Sequence, residues 1–509
     1  MPRKLPIFYS ALLLTGVNLL LRLVGTSFQV YLSGCIGPEG IGLLQLVMSV
    51  GSVSMVAGIA GVRTAAMYLT AEELGKSRPE NVTRTLSACF LYSILCSCAA
   101  GGVLFHFAPQ LAANWIGDSS TTQALRLLAA FLPVTCLCSV MTGYFTAANR
   151  IGTLAAVEVA EQLCSMGLTM LALKLWAGHD AARACQSVIL GSSLGACLTL
   201  ILLVVLRKRE RPACAGPFPI GRRLVQAAVP LALADILKSG INTAENLMVP
   251  RRLGKNPVIA NPLASFGVVS GMVFPILMFP ACILFGLAEL LIPELARCAA
   301  AGSQKRISYL VHRSLKVAML YGIVFSGLIR LLSSNLCQHF YGNAEAGVNL
   351  RLYAPLIPML YCDAIIDAMT KGLGQQKACV RYNILTSFLD VCLLYFLLPR
   401  YGMEGYFLSF LVTHAVNFLL SLRRLLKITG ETIPVFIPLL ALTAAMLAIW
   451  GASFVQTPQA QCLVYLLLLP CLLTLFQVAG KEDILWAIRL LRGDGFSKKE
   501  RGRTFRPTP

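Results

Sequence analysis

The chain has 509 residues, of which 57% are hydrophobic and 13% charged, with 43 Lys and Arg against 23 Asp and Glu. A soluble globular protein carries roughly 25% charged residues. About half that density, with apolar runs recurring from end to end and no polar linker between domains, excludes a soluble multidomain chain. It predicts an all-α polytopic membrane protein.

Apolar runs bounded by charge and by Gly or Pro predict about 14 transmembrane helices. The first six cover 7–32, 41–70, 83–107, 122–148, 152–176 and 186–206. Six more cover 224–250, 264–296, 308–332, 347–372, 378–399 and 403–422, and a last pair covers 433–454 and 460–479. The opening run, FYSALLLTGVNLLLRLVGTSFQVYL, is too long for the apolar core of a signal peptide, contains Arg22 and lacks a small-residue cleavage site. It reads as a retained first helix. The second and eighth runs are long enough to tilt or to kink at their Gly and Pro residues.

Every second loop is basic, from Arg3/Lys4 through Lys76/Arg78/Arg84, Arg150, Arg207–Arg209 and Arg222/Arg223 to Arg297/Lys305/Arg306. The series continues with Lys371/Lys377/Arg381, Arg423/Arg424/Lys427 and the tail KKERGRTFRP. About 30 Lys and Arg fall on that side against about nine on the other, which predicts a multi-pass protein of the cytoplasmic membrane with both termini cytoplasmic. Topology and anionic membrane lipids account for the net charge of +20, so no nucleic-acid partner is expected. One loop on the depleted side breaks the pattern: MVPRRLGKNPVIANP carries Arg251, Arg252 and Lys255. From Lys481 the tail has apolar residues at helical spacing with basic residues between, as in a helix lying on the inner membrane surface.

The phrase TGVN at Thr15–Asn18 returns as SGIN at Ser239–Asn242, and Pro38 pairs with Pro262 at the same offset of 224. One inserted residue later, Gly42 pairs with Gly267, Gly61 with Gly286 and Pro133 with Pro358. A constant offset over so long a stretch predicts two six-helix repeats. An even number of spans makes them parallel, a transporter architecture with substrate handled near the interface of the halves. The expected division is residues 1–206 as an N-terminal lobe, 207–223 as a basic cytoplasmic linker and 224–425 as a C-terminal lobe. Residues 426–480 supply two further helices and 481–509 the amphipathic tail.

Two six-helix repeats with two extra helices resemble the multidrug/oligosaccharidyl-lipid/polysaccharide exporter superfamily. GCIGPEGIGLLQLVMSVGSVSMVAGIAG resembles the start of its second helix, and GLGQQKACVRYNILTSFLDVCLLYFLLPRYGMEGY its tenth to twelfth. Together they look like the stage V sporulation protein B and polysaccharide (lipid II) flippase branch, over about residues 5–480. The resemblance implies a central cavity between the lobes, cavity arginines as in lipid II flippases, and a groove for an acyl chain at helices 13 and 14. Where that branch often has Pro after the glycine of helix 2, this chain has GVRTAAM, with Arg63 in that place.

Ionisable residues at bilayer depth are costly, on the order of 3 kcal/mol each, and mark cavities or partners. Arg22, Arg63 and Lys238, with Arg251 and Arg252, are candidates for an anionic headgroup, because Arg grips phosphate with two parallel hydrogen bonds. On helix 7, Asp235, Lys238, Asn242 and Glu245 follow a 3-4-3 spacing and share a stripe, which adds Asn242 and Glu245 to the substrate-binding candidates. Glu158 with Glu161, Asp235, and Asp363 with Asp367 are candidates for ion coupling, to Na⁺, H⁺ or the membrane potential. The plainer alternative is that these charges form inter-helix pairs, for instance Arg22 with Glu245, and that Arg251 and Arg252 are a gate or a loop.

The 18 cysteines match no metal or haem spacing, GPEGIG follows no strand, and no nucleophile–base set appears. No enzyme, metal or cofactor is expected. The function expected is a flippase for a lipid-linked oligosaccharide or peptidoglycan precursor, working as a monomer. A drug/cation antiporter of the same superfamily and a non-transporting scaffold in envelope or spore assembly are the alternatives.

Overall fold

The computed structural model describes residues 7–75, 79–148, 150–177, 180–207, 220–431 and 436–478. Most of the basic linker and all of the tail from Lys481 lie outside the described residues, as do Arg3, Lys4, Lys76 and Arg78. Fourteen helices and no strand run through the described part. With kinked helices counted once, nine stretches are long and apolar enough to cross a membrane, and a bent pair makes a tenth. The protein is a multi-pass membrane protein.

The N-terminal lobe holds α1 (7–36), α2 (38–59, continued as Val62–Gly75), α3 (Pro79–Gln110), α4 (Thr122–Ala147), α5 (Ile151–Ala172) and α6 (Ala181–Leu206). Its counterpart holds α7 (Ile220–Leu253), α8 (Pro262–Met278, bent into Ala281–Ala300), α9 (Gln304–Tyr341), α10 (Ala344–Gly372), α11 (376–401) and α12 (403–429). Last come α13 (Phe436–Ala452) and α14 (Pro458–Leu475).

Glycine sets the breaks. Gly37 takes φ 69°, ψ 179°, a conformation that side chains disfavour, and Pro38 has no amide to continue the helix, so α1 and α2 part there. Gly402, at φ 57° and ψ −133°, parts α11 from α12. The long run expected over 41–70 is interrupted at Ala60–Gly61, both at positive φ, because the Ala228 carbonyl of α7 lies against the Gly61 backbone.

The halves meet on backbone. Gly42 packs against the Leu263 carbonyl, and a Cβ on Gly267 would strike the Pro38 carbonyl and lie 3.1 Å from the Gly42 Cα. Gly42 and Gly267, which the repeat aligns at an offset of 225, therefore touch each other. Two hydrogen bonds flank this seam: Gln29 Nε2 donates to the Gly271 carbonyl (3.3 Å) and Asn261 Nδ2 to Glu39 (3.1 Å).

At the seam end the lobes share one apolar core, in which Leu32, Ile41 and Leu44 join Phe266, Val268 and Met272. Toward the basic loops the N-terminal lobe has its own core of Val62, Leu86, Val140 and Phe145, completed by Leu224 and Ala228 of α7. So α7 packs with the first lobe near its start and with the second near its end, where Val249 and Leu253 are buried. Alanines 441, 444, 445 and 448 pack α13 on α14, and Tyr465 pins the pair to α9. Its ring fills the notch at Gly327 and its hydroxyl donates to the Ile323 carbonyl at 2.8 Å.

Gly267→Val should push the two backbones apart at the seam. Overpacking of this kind costs on the order of 1–3 kcal/mol, to be read as a lower thermal midpoint of the purified protein. Gly25→Ala, with open space at its Cα, should leave the midpoint in place; an unchanged midpoint for Gly267→Val would remove the seam from its structural role.

Candidate functional site

Below the seam, a cleft of about 280 Å³ opens between α2 and α7, lined by Val56, Ile59 and Gly61 on one side and Asp235, Lys238, Ser239 and Asn242 on the other. Three of the four stripe residues thus share one wall. The fourth, Glu245, does not, and the reason is depth rather than angle. One turn nearer the seam, Thr243 Oγ1 donates to the Ser49 carbonyl (2.8 Å) and Asn246 Nδ2 to the Ser49 hydroxyl (2.9 Å), closing α7 onto α2. At the basic end, Arg223 bridges Glu72 and Glu73 and ties α7 to α2 again.

Arg22 is exposed between the lobes, its guanidinium 5.2 Å from the Phe285 ring of α8. It faces α8 and not Glu245. Arg63 is also exposed, just past the break in α2, and its charge acts on Glu158 of α5. Glu158 and Glu161 are half-buried inside the N-terminal lobe, Glu161 close to Cys138 of α4. Lys238 thus stands in the cleft wall and Arg22 reaches from α1 to α8 of the other lobe, whereas Arg63 is exposed beside Glu158 of its own lobe.

Asp363 and Asp367 share a helix but not a partner. Asp363 Oδ2 accepts from Asn417 (2.9 Å) while its Oδ1 is buried without a partner, and Asp367 pairs with Lys371 at 2.5 Å. Arg251 and Arg252 lie at the far end of α7, beyond the seam. There Arg252 stacks on the Tyr395 ring of α11, 3.2 Å from its centroid, well away from Arg22 and Lys238.

Glu245 turns into the C-terminal lobe and meets Asp390 of α11, carboxyl to carboxyl, within hydrogen-bond reach. Asp390 Oδ1 accepts from Ser409 (2.5 Å) and Thr413 (3.3 Å) of α12. Among the described residues no Lys or Arg lies at ion-pair distance from either carboxyl. Sequence reasoning passed over Asp390, Ser409 and Thr413. The signal was an acid standing alone in the apolar run ILTSFLDVCLLYFLL, but the partner that gives it meaning lies 145 positions earlier (390 − 245).

Residues 14–171 match the MatE family model. Over 77% of this chain and 78% of the relative, the sequence is 20% identical to stage V sporulation protein B of Bacillus subtilis (strain 168). In three dimensions the chain superposes on lipid II flippase MurJ in an inward closed conformation, with a TM-score of 0.68 at 16% identity, over 91% of this chain and 98% of that one. An inward-facing multidrug resistance MATE family transporter of the MOP superfamily gives 0.62 at 14% identity, over 82% and 100%. The fold is that of the MATE and MurJ transporters. In this fold the cleft beside Lys238 lies between the two lobes, and Glu245 with Asp390 lies inside the second.

Replacing Asp390 should expose the cost of the buried cluster. Asp390→Leu leaves the Ser409 hydroxyl and the Glu245 carboxyl without their partner, a loss of about 1–3 kcal/mol in unfolding experiments. Asp390→Asn keeps an acceptor oxygen and should unfold close to the parent; equal stability of all three proteins would show that the cluster carries no structural weight.

Proposed function

We propose that this chain is a flippase that carries a lipid-linked oligosaccharide or peptidoglycan precursor outward across the cytoplasmic membrane, gripping the lipid pyrophosphate. The observation that carries this reading is the cleft between α2 and α7 with Lys238 in its wall, below the Gly42–Gly267 seam, together with Arg22 reaching from α1 to α8 of the other lobe and Arg63 exposed just past the break in α2. Cations in a shielded cleft suit an anionic headgroup, and Arg offers two parallel donors to phosphate. The similarity to MurJ, named as a lipid II flippase, and to a sporulation protein supports a cargo of cell-wall precursors, with spore assembly as a setting.

With the basic loops and both termini in the cytoplasm, the seam lies at the outer face and the cleft opens inward. The headgroup enters the cleft while the acyl chain stays in lipid. Rocking of the lobes then breaks the seam and exposes the same cations outward. One chain supplies both lobes, so a monomer suffices. The carboxyl pair Glu245–Asp390 supplies ion coupling, by Na⁺ or H⁺, because it is apart from the cleft wall and changes partners whenever α7 moves against α11. Of the other acids, Asp235 belongs to the cleft and Asp367 is held by Lys371, which leaves Glu158, Glu161 and Asp363 as further ion carriers.

Proteoliposomes loaded with a fluorescent lipid-linked sugar should show movement between leaflets. Arg22→Ala or Lys238→Ala should slow it by about tenfold, the equivalent of one charge-assisted contact, at unchanged thermal stability. Transport at the parental rate in both variants would overturn the cleft assignment. Asp390→Asn should leave cargo binding intact and abolish the dependence of the rate on Na⁺ or pH.

A further inference from the structure

The face away from the basic loops is poor in cations, yet several gather at one corner of it. Arg251 and Arg252 close α7, Lys255 follows in the turn, and Arg400 stands near the end of α11, two residues before the Gly402 on which that turn packs. The two segments are packed together: Asn256 and Ile259 lie against the Gly402 backbone, and Arg252 stacks flat on Tyr395. Tyr395 is 45% exposed and Tyr401 57%. Among the described residues no carboxylate lies within ion-pair distance of any of these four cations, and the nearest acid in sequence, Glu404, is exposed at the start of α12.

Helix-terminal capping explains a single Arg at the end of α7. It does not explain two further unpaired cations brought in by a different helix and a loop, nor a guanidinium held flat by an aromatic ring. A guanidinium over an aromatic face keeps the N–H groups of its fork for other acceptors, and two parallel N–H donors are what a phosphate takes. Exposed tyrosines at helix ends are the residues that settle at headgroup level. Depth, charge and geometry thus agree on one occupant.

We infer that the corner formed by Arg251, Arg252, Lys255 and Arg400 around Tyr395 is a docking site for the phosphate of an anionic phospholipid in the leaflet opposite the basic loops. The site is separate from the cleft. Its Arg252–Tyr395 contact stands about 10 Å above Glu245 along α7, seven residues at 1.5 Å each, so a phosphate there joins α7 to α11 over the carboxyl pair.

Hydrogen exchange of the full chain in nanodiscs reads this corner locally, because docking suppresses the openings that expose its amides. Adding phosphatidylglycerol to phosphatidylcholine nanodiscs should slow exchange at residues 254–260 several-fold. In the double variant Arg252→Ala/Lys255→Gln that slowing should vanish, while lipid-dependent protection at the basic loops stays. Arg126→Gln, a cation elsewhere on the same face, should behave as the parent. Inorganic phosphate added to phosphatidylcholine nanodiscs should have no effect, and equal protection by it would overturn the lipid assignment. Absence of the phosphatidylglycerol effect in the parent, or its persistence in the double variant, would overturn the site. Neither result bears on flipping, which is read from the cleft variants.

Discussion

Everything else in this molecule hangs on a backbone contact between two glycines, Gly42 and Gly267. They are the positions that the 225-residue offset pairs, and their backbones meet where the two lobes do. Close approach without side chains holds the lobes together at the seam, while toward the basic loops α7 is held to α2 by the Gly61–Ala228 approach and by Arg223 on Glu72 and Glu73. Apolar packing follows from that: one shared core at the seam, and a separate N-terminal core toward the basic loops, with the cleft where neither reaches.

Within that frame α7 is the element under most constraint. Its first turns complete the N-terminal core through Leu224 and Ala228, and its last turns bury Val249 and Leu253 in the other lobe. Between the two lies the polar stretch from Asp235 to Glu245. A helix bound at both ends to different bodies cannot keep all its contacts if those bodies rotate. The polar groups sit where the contacts must change: Ser239 beside Ser52, Thr243 and Asn246 on Ser49, and Glu245 on Asp390. Hydrogen-bonded contacts of this kind exchange partners at lower cost than packed apolar ones do, because water or a neighbouring group can take the place of the lost partner.

Charge is sorted by the same geometry. Lys238 and Asp235 both face the cleft, whereas other acids are paired, as in Asp367 with Lys371, or turned inward, as in Asp390 among hydroxyls. An exposed cation costs little where water reaches it, whereas a buried carboxyl needs donors or a counter-ion. Arg63 and Glu158 stand between these cases, close enough to feel each other, one exposed and the other half-buried.

Helix number, the membrane class and the repeat were legible in the sequence, because apolar length, loop charge and a constant offset are properties of local stretches and do not depend on what they touch. The breaks at Gly37 and Gly402 were also within its reach, since a Gly between apolar runs acts locally, and Gly37 is followed by Pro38. The sharing of α7 was not, nor was the place of Glu245. Its angle on the helix agrees with that of Lys238, yet depth relative to the seam sends one to the cleft and the other to Asp390. Arg251 and Arg252 carry the same charge as Arg22, and only the fold puts them at opposite ends. The sequence by itself determined which residues lie at bilayer depth and that the chain is doubled; the tertiary structure alone decided which of those charges share a space, because that depends on where two backbones, 225 residues apart, come into contact.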